Sequence, residues 1–432
     1  MTIRSTQLIA YGALGLPLAM VALPVYVQAP AYYTSRLGMP LSTAGLILFL
    51  ARLVDTAQDP FFGRWADTLA RTGRLPAALW ISAVCLAAAF AALWMPLAAG
   101  TALAVWFAAA VVAVYAAHSF MNIAYLAWGA KLGDDSDVLT RAAAWREGAG
   151  LVGVLIASAG PSWLLAGEAS AQRDAMSPFI ALFSVLLIGA LWALRFAPPW
   201  QATRLPRLSA GRGRADRSVL SVWSAVRDNG SFRKILVPYF MNGLSVAIPA
   251  SLAVFFIEDR LGAMQWVAPS LGLYFLAAAL GLPLWVRISR RVGPQRAWGI
   301  AMSLAIMAFV WTATLGPGDL VPFLVACAGS GFALGADLAL PAVLLAQCIP
   351  DREGSGAYFG IWTLTGKLCL ALSALILPGL AWLGYQPGTP ALGAPGMALA
   401  LAYAGLPCLL KLGALMALRR SSPTATVTKE RQ

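Results

Sequence analysis

The chain of 432 residues is 60% hydrophobic and only 11% charged, against roughly 25% charged in an ordinary soluble domain. Apolar runs of about twenty residues, the length that crosses a bilayer core, recur along nearly the whole sequence. This excludes an ordinary soluble protein. The net charge of +13 follows from basic loops lying against anionic lipid and calls for no nucleic acid.

Twelve membrane helices are predicted, at roughly 8–34, 42–64, 76–97, 102–132, 141–167, 177–196, 232–257, 266–287, 297–315, 319–348, 355–384 and 395–418. The first apolar run continues past Val27 toward Tyr33, too far for a signal-peptide core, and reads as a retained first helix. Arg64, Arg71 and Arg74 mark loop 2–3 as basic, Lys131 and Arg141 loop 4–5, Arg287, Arg290, Arg291 and Arg296 loop 8–9, and Arg352 loop 10–11. The alternate loops hold only Arg36, Arg173 and Arg260. Basic loops stay in the cytoplasm, so both termini are expected there, in a bacterial-type inner membrane.

Midway lies a polar, arginine-rich stretch, 198–231, whose "SVLSVWSAVR" reads either as unstructured chain or as a short surface helix. It divides the sequence into a six-helix bundle (1–197), a basic cytoplasmic linker, a second bundle (232–418) and a cytoplasmic tail (419–432). Loops 2–3 and 8–9 repeat a short turn containing Gly and Arg at matching places in the two halves. The fold class is therefore all-α, with two pseudo-symmetric six-helix bundles. The five cysteines fall inside apolar runs as packing residues, and there is a single histidine. With no metal-ligand cluster and no nucleophile elbow in the sequence, neither an enzyme nor a cofactor is expected.

Helix 2 carries Arg52, Asp55 and Asp59. Their i, i+3, i+7 spacing places them within about 60° of one another on one face. A charge at mid-membrane costs on the order of 3 kcal/mol, so the three must face the bundle interior. Two carboxylates on one stripe need a cation between them: a proton, Na⁺, Li⁺ or Arg52. One arginine cannot neutralise both, which favours a bound ion, while Arg52 serves equally well as a structural pin. Pro60 frees a helix carbonyl one turn earlier, near residue 56.

On helix 4, Tyr115, His118, Asn122 and Tyr125 form a stripe about 80° wide, either hydrogen-bonded glue between helices or cavity lining. In helix 5, Arg146 and Glu147 point about 100° apart, so one of them faces the cavity, and Arg146 is the choice. In helix 7, Asn242 and Ser245 are candidate substrate contacts. Asp337, deep in helix 10, is expected to pair with Lys367 or an arginine, either as a substrate group or as a bridge between helices 10 and 11. Asp67, Arg71 and Arg74 lie where a gate latch would meet the 8–9 and 10–11 loops.

Arg52, Asp55, Asp59, Pro60 and Gly63, followed by Gly73 and Pro76, resemble the second helix and following loop of the melibiose permease type. That type is the glycoside–pentoside–hexuronide:cation symporter family of the major facilitator superfamily. Thr140 with Arg146 is similar to the family's entry into helix 5, and Thr363 with Lys367 to its helix-11 pair. The resemblance implies that Asp55 and Asp59 bind the coupling cation (as metal ligands if it is Na⁺), with Gln58 and Ser119 supplying further oxygens. It implies that Arg146 contacts sugar and that Lys367 links the halves near the ion site. Two acceptors of the family's sugar site are replaced, by Ala19 on helix 1 and Asn122 on helix 4. That argues against a melibiose-like substrate and leaves cation coupling intact.

The resulting expectation is a monomeric symporter, driven by Na⁺ or H⁺, that moves a sugar or other small organic solute by alternating access. One alternative is a transporter of lysophospholipid or another amphipathic solute on the same fold. Another is a receptor or assembly factor that has lost transport.

Overall fold

The computed structural model describes residues 4–25, 29, 32–33, 37–100, 102–133, 135–165, 176–197, 228–349, 355–373, 375–386 and 393–420. Arg36, Arg173, Arg352, residues 198–227 with "SVLSVWSAVR", and residues 421–432 lie outside the described set.

Helices account for the regular structure among the described residues. They are α1 (Ser5–Gly12), α2 (Gly15–Leu23), α3 (Leu41–Arg71), α4 (Leu75–Trp94), α5 (Ala102–Gly129), α6 (Ser136–Leu165) and α7 (Ser177–Ala193). Then follow α8 (Gly230–Phe255), α9 (Val267–Val292), α10 (Pro294–Phe309), α11 (Leu320–Cys348), α12 (Ser355–Ser373), α13 (Ile376–Trp382), α14 (Gly393–Ala400) and α15 (Leu406–Arg420). A π-turn extends α8 to Arg260, and another joins α14 to α15. Eight helical segments among the described residues are long and apolar enough to cross a bilayer, and they coincide with predicted helices 3, 4, 6–10 and 12. Predicted helices 1, 2, 5 and 11 correspond to α1 with α2, to α3, to α6, and to α12 with α13.

Two boundaries differ from expectation. Helix 1 is interrupted at Ala13 and Leu14, between Gly12 and Gly15, residues that weaken helix propagation. Helix 2 runs two turns beyond residue 64, so Arg64, Asp67 and Arg71 sit on the helix rather than in a loop. It passes through Pro60 unbroken, as membrane helices can when neighbouring groups satisfy the freed backbone.

The chain divides into two compact units: Met1–Val222 with Ile349–Leu364, and Trp223–Cys348 with Thr365–Gln432. In the first unit α3 packs along α5, and α2 along α6. Bulky rings fill its core, with Phe90 and Phe183 at 4.7 Å between centroids beside buried Trp94 and Phe107. Small residues set the helix spacing, because apolar attraction alone does not favour helix pairs in lipid. A Cβ on Gly15 would lie 2.3 Å from the Arg146 carbonyl oxygen, so α2 and α6 touch backbone to backbone. Ile81, Val84, Val105 and Val185 point outward, an apolar face suited to acyl chains.

In the second unit α11 packs against α9 and α10, and α8 against α15. Phe256 stacks on Tyr403 at 4.1 Å and 10°. Asn229 starts α8 with a side-chain cap, Oδ1 accepting from Phe232 N–H at 2.9 Å. Its Nδ2 donates to the Cys348 carbonyl at 3.0 Å, tying the start of α8 to the end of α11. The repeated turn is visible in each unit: Gly73 joins α3 to α4 at φ +70°, and Gly293 joins α9 to α10 at φ +84°. That region favours glycine, which explains the recurrence.

Candidate functional site

Helix α3 carries the acidic pair into the protein. Asp55 and Asp59 are 2% and 0% exposed. Asp55 Oδ1 accepts from Ser119 Oγ on α5 at 2.6 Å and from Gln58 Nε2 at 3.1 Å. Gln58 therefore faces Asp55 with its amide nitrogen. Arg52 is half-buried one turn earlier, and its carbonyl accepts from Thr56 Oγ1 at 2.8 Å. Asp59 lies where α3 meets the first half of α12: a Cβ on Gly360 would come within 2.7 Å of the Asp59 carbonyl oxygen. Gly63 and Gly356 continue that seam, each needing to be glycine because a Cβ on either would strike the other's carbonyl at 2.1–2.2 Å.

The helix-4 stripe is placed in α5. Tyr125 Oη donates to the Tyr11 carbonyl at 2.6 Å, and Tyr11 Oη donates to the Tyr125 carbonyl at 3.1 Å, a reciprocal clasp between α5 and α1. His118 Nε2 lies 3.0 Å from the Leu18 carbonyl, next to Ala19. Asn122 is half-buried, one turn beyond Ser119. Arg146 neighbours both tyrosines and binds Glu147 Oε1 through Nε at 3.0 Å and an Nη at 2.5 Å. The expectation that Arg146 and Glu147 diverge is corrected. Their long side chains fold across the angle between their Cβ atoms, because pairing offsets the cost of burying either charge alone.

Asp67, 8% exposed, accepts from the backbone N–H groups of Gly356 and Ala357, each at 3.0 Å. A carboxylate thus satisfies the orphan donors at the first turn of α12, where the helix dipole favours negative charge. Arg71 and Lys131 are its cationic neighbours, whereas Arg74 stands exposed at the start of α4.

The second unit holds another buried acid. Asp337 on α11 accepts from Lys411 Nζ on α15 at 2.7 Å through one oxygen, and from Trp298 Nε1 on α10 at 2.8 Å through the other. Lys411 Nζ also donates to Asn242 Oδ1 on α8 at 2.7 Å. Four helices are joined by one ammonium and one carboxylate. The expected partners of Asp337, Lys367 or an arginine, are replaced by Lys411. Lys411 is the only charged residue of the last span before its terminal arginines, and the rule that singled out Asp337 would have found it. Ser245 Oγ donates to the Asn242 carbonyl at 2.7 Å. On α12, Thr363 Oγ1 is bonded to the Phe359 carbonyl at 2.8 Å, and Lys367 is half-buried one turn on.

Ionisable residues buried on bilayer-length helices mark a membrane protein with a polar interior. The sequence profile of the family described as "MFS/sugar transport protein" matches residues 8–423, and the chain belongs to that family. Its fold is that of the major facilitator transporters, all-helical among the described residues, with eight bilayer-length spans plus shorter apolar helices. The transporter FucP, solved in an outward conformation, aligns over 97% of this chain and 98% of its own, at a TM-score of 0.69 and 15% identity. A bacterial homologue of the iron transporter ferroportin, in an outward-facing state, aligns over 98% and 100% at 0.67 and 17%. The proton:xylose symporter XylE, bound to 6-bromo-6-deoxy-D-glucose, aligns over 94% of each chain at 0.64 and 13%. No curated protein matches by sequence.

Proposed function

We propose that this transporter is a cation-coupled symporter in which Asp55 and Asp59 hold Na⁺ or H⁺ and the solute moves with it by alternating access. The observation that carries the reading is the placement of Asp55: a buried carboxylate held by a hydroxyl and an amide, with a second buried carboxylate one turn away. Both of those neighbours contain an oxygen that can turn toward a bound metal ion. An acid at this depth costs on the order of 3 kcal/mol when charged, so adding one positive charge shifts the energy of the site substantially. A difference of that size between two conformations is what couples an ion to a conformational equilibrium.

The solute site in this reading draws on Arg146, Asn122, Tyr125, His118 and Thr363 of the first unit. The Asp67 bond to α12 serves as a latch that opens during the cycle, with Arg71 and Lys131 as its cationic neighbours. Both termini face the cytoplasm. A sugar or a related small organic solute fits the family and the proton:xylose symporter among its structural neighbours. Ala19, standing where the melibiose type has an acid, favours an amphipathic solute as the second reading.

The test is uptake into proteoliposomes under an imposed Na⁺ or H⁺ gradient, over a panel of sugars and lysophospholipids. Replacing Asp55→Asn and Asp59→Asn together is expected to abolish gradient-driven accumulation while the protein is still made and inserted. Unchanged accumulation would refute coupling at this pair. Flux of lysolipids and not of sugars would select the amphipathic reading.

A further inference from the structure

We propose that the groove between α10 and α15 binds an anionic glycerophospholipid, with the phosphate at its basic mouth and the acyl chains along two apolar stripes. The groove encloses about 510 Å³ and is lined by Gln295, Arg296, Gly299 and Ile300 from α10 and by Leu415 and Arg419 from α15, among others. Gln295 Nε2 donates to the Leu418 carbonyl at 2.8 Å, which sets the first turn of α10 beside the last turn of α15. Arg296 and Arg419 therefore open onto the same mouth. Gly299 keeps the groove open below it: a Cβ there would already touch Leu415 Cδ1 at 3.4 Å.

The walls continue as an amphiphile would require. On α10, Arg296, Ile300, Ser303 and Met307 fall within about 60° of one another. On α15, Arg419, Met416, Leu412 and Leu409 fall within about 80°. Ile300, Met307, Leu409, Leu412 and Met416 are all exposed on the outer surface, so each helix presents a guanidinium followed by hydrocarbon. At 1.5 Å per residue each stripe is about 15 Å long, half of a hydrocarbon core of about 30 Å. That is the depth of a single leaflet. Basic pockets between membrane helices suit anionic head groups. The chain's own last residues, 421–432, are a poorer occupant, because Lys429 and Arg431 outnumber Glu430 and would meet two arginines.

The full-length protein would be reconstituted in phosphatidylethanolamine vesicles containing a minority of phosphatidylglycerol. Lipid retained after gentle extraction would then be measured by native mass spectrometry. Each arginine near an anionic head group is expected to contribute about fivefold. Arg296→Gln with Arg419→Gln should therefore lower retained phosphatidylglycerol about 25-fold. Arg296→Lys with Arg419→Lys should largely preserve it, and Gly299→Leu should displace it with every charge in place. If the glutamine pair fails to fold, the lysine pair against Gly299→Leu still decides. Three results would overturn the site: Arg233→Gln with Lys234→Gln lowering retention as much as the groove pair, Gly299→Leu retaining lipid fully, or inorganic phosphate competing as well as the phospholipid. None of these bears on the acids of α3, so this inference and the transport reading fail separately.

Discussion

Each unit buries an acid in its helices, and the two acids are met differently. Asp337 is embraced by an ammonium and an indole, and the ammonium is itself held by an amide oxygen, so charge and hydrogen bonds close among four helices. Asp55 is met by a hydroxyl and an amide, groups that orient a carboxylate without cancelling its charge. A buried pair such as Lys411–Asp337 fixes geometry, while the hydroxyl and amide beside Asp55 each carry an oxygen that can face a cation. In the proposed reading the difference separates a clamp from a site that loads and unloads its ion.

The sharpest way to break this contrast is Lys411→Met, which leaves Asp337 buried without its ammonium. A loss of about 3–5 kcal/mol is expected, read as a fall in the melting temperature of the purified protein. Asp337→Asn added to Lys411→Met should recover most of it, and a double variant no better than the single one would show that the pair is not a clamp. Next in size is Ser119→Ala. A hydrogen bond to a charged group is worth about 1.5–3 kcal/mol. The expected result is weaker dependence of uptake on the coupling ion, with a smaller shift in melting than Lys411→Met gives. Trp298→Phe removes one donor from an acid that keeps its lysine, and should cost about 1.5 kcal/mol, the low end of that range, by the same melting assay. Arg71→Gln, at an exposed position whose side chain reaches Thr68 at 3.4 Å, should stay within about 0.5 kcal/mol.

Much of the frame was legible because bilayer thickness fixes helix length, and the α3 acids were legible because charge inside an apolar run is costly. Ser119, which the resemblance picked out as a cation ligand, donates to Asp55. Lys411 could have been singled out as a charge within the last span, but its pairing with Asp337 was not legible, because that depends on the register of α11 against α15, and spacing within one helix says nothing about that. Arg146 and Glu147 were misjudged because Cβ directions ignore the reach of long side chains. Gly63 stood in the motif without a reason until the structure set Gly356 against it, since the close approach involves a residue far along the chain. Asp67 was placed in a loop because the polar end of α3 no longer looks like a span.

The bond from Asp67 to α12 has its acceptor in a side chain and its donors in the main chain. Exchanging side chains at position 357 would leave the amide that donates there untouched, so a conventional alanine scan would pass over half of this fastening. Proline at 357 would remove that hydrogen and, by disfavouring the helical backbone of Gly356, would disturb the neighbouring donor as well, giving a mutant in which the acid is intact and its anchorage is cut.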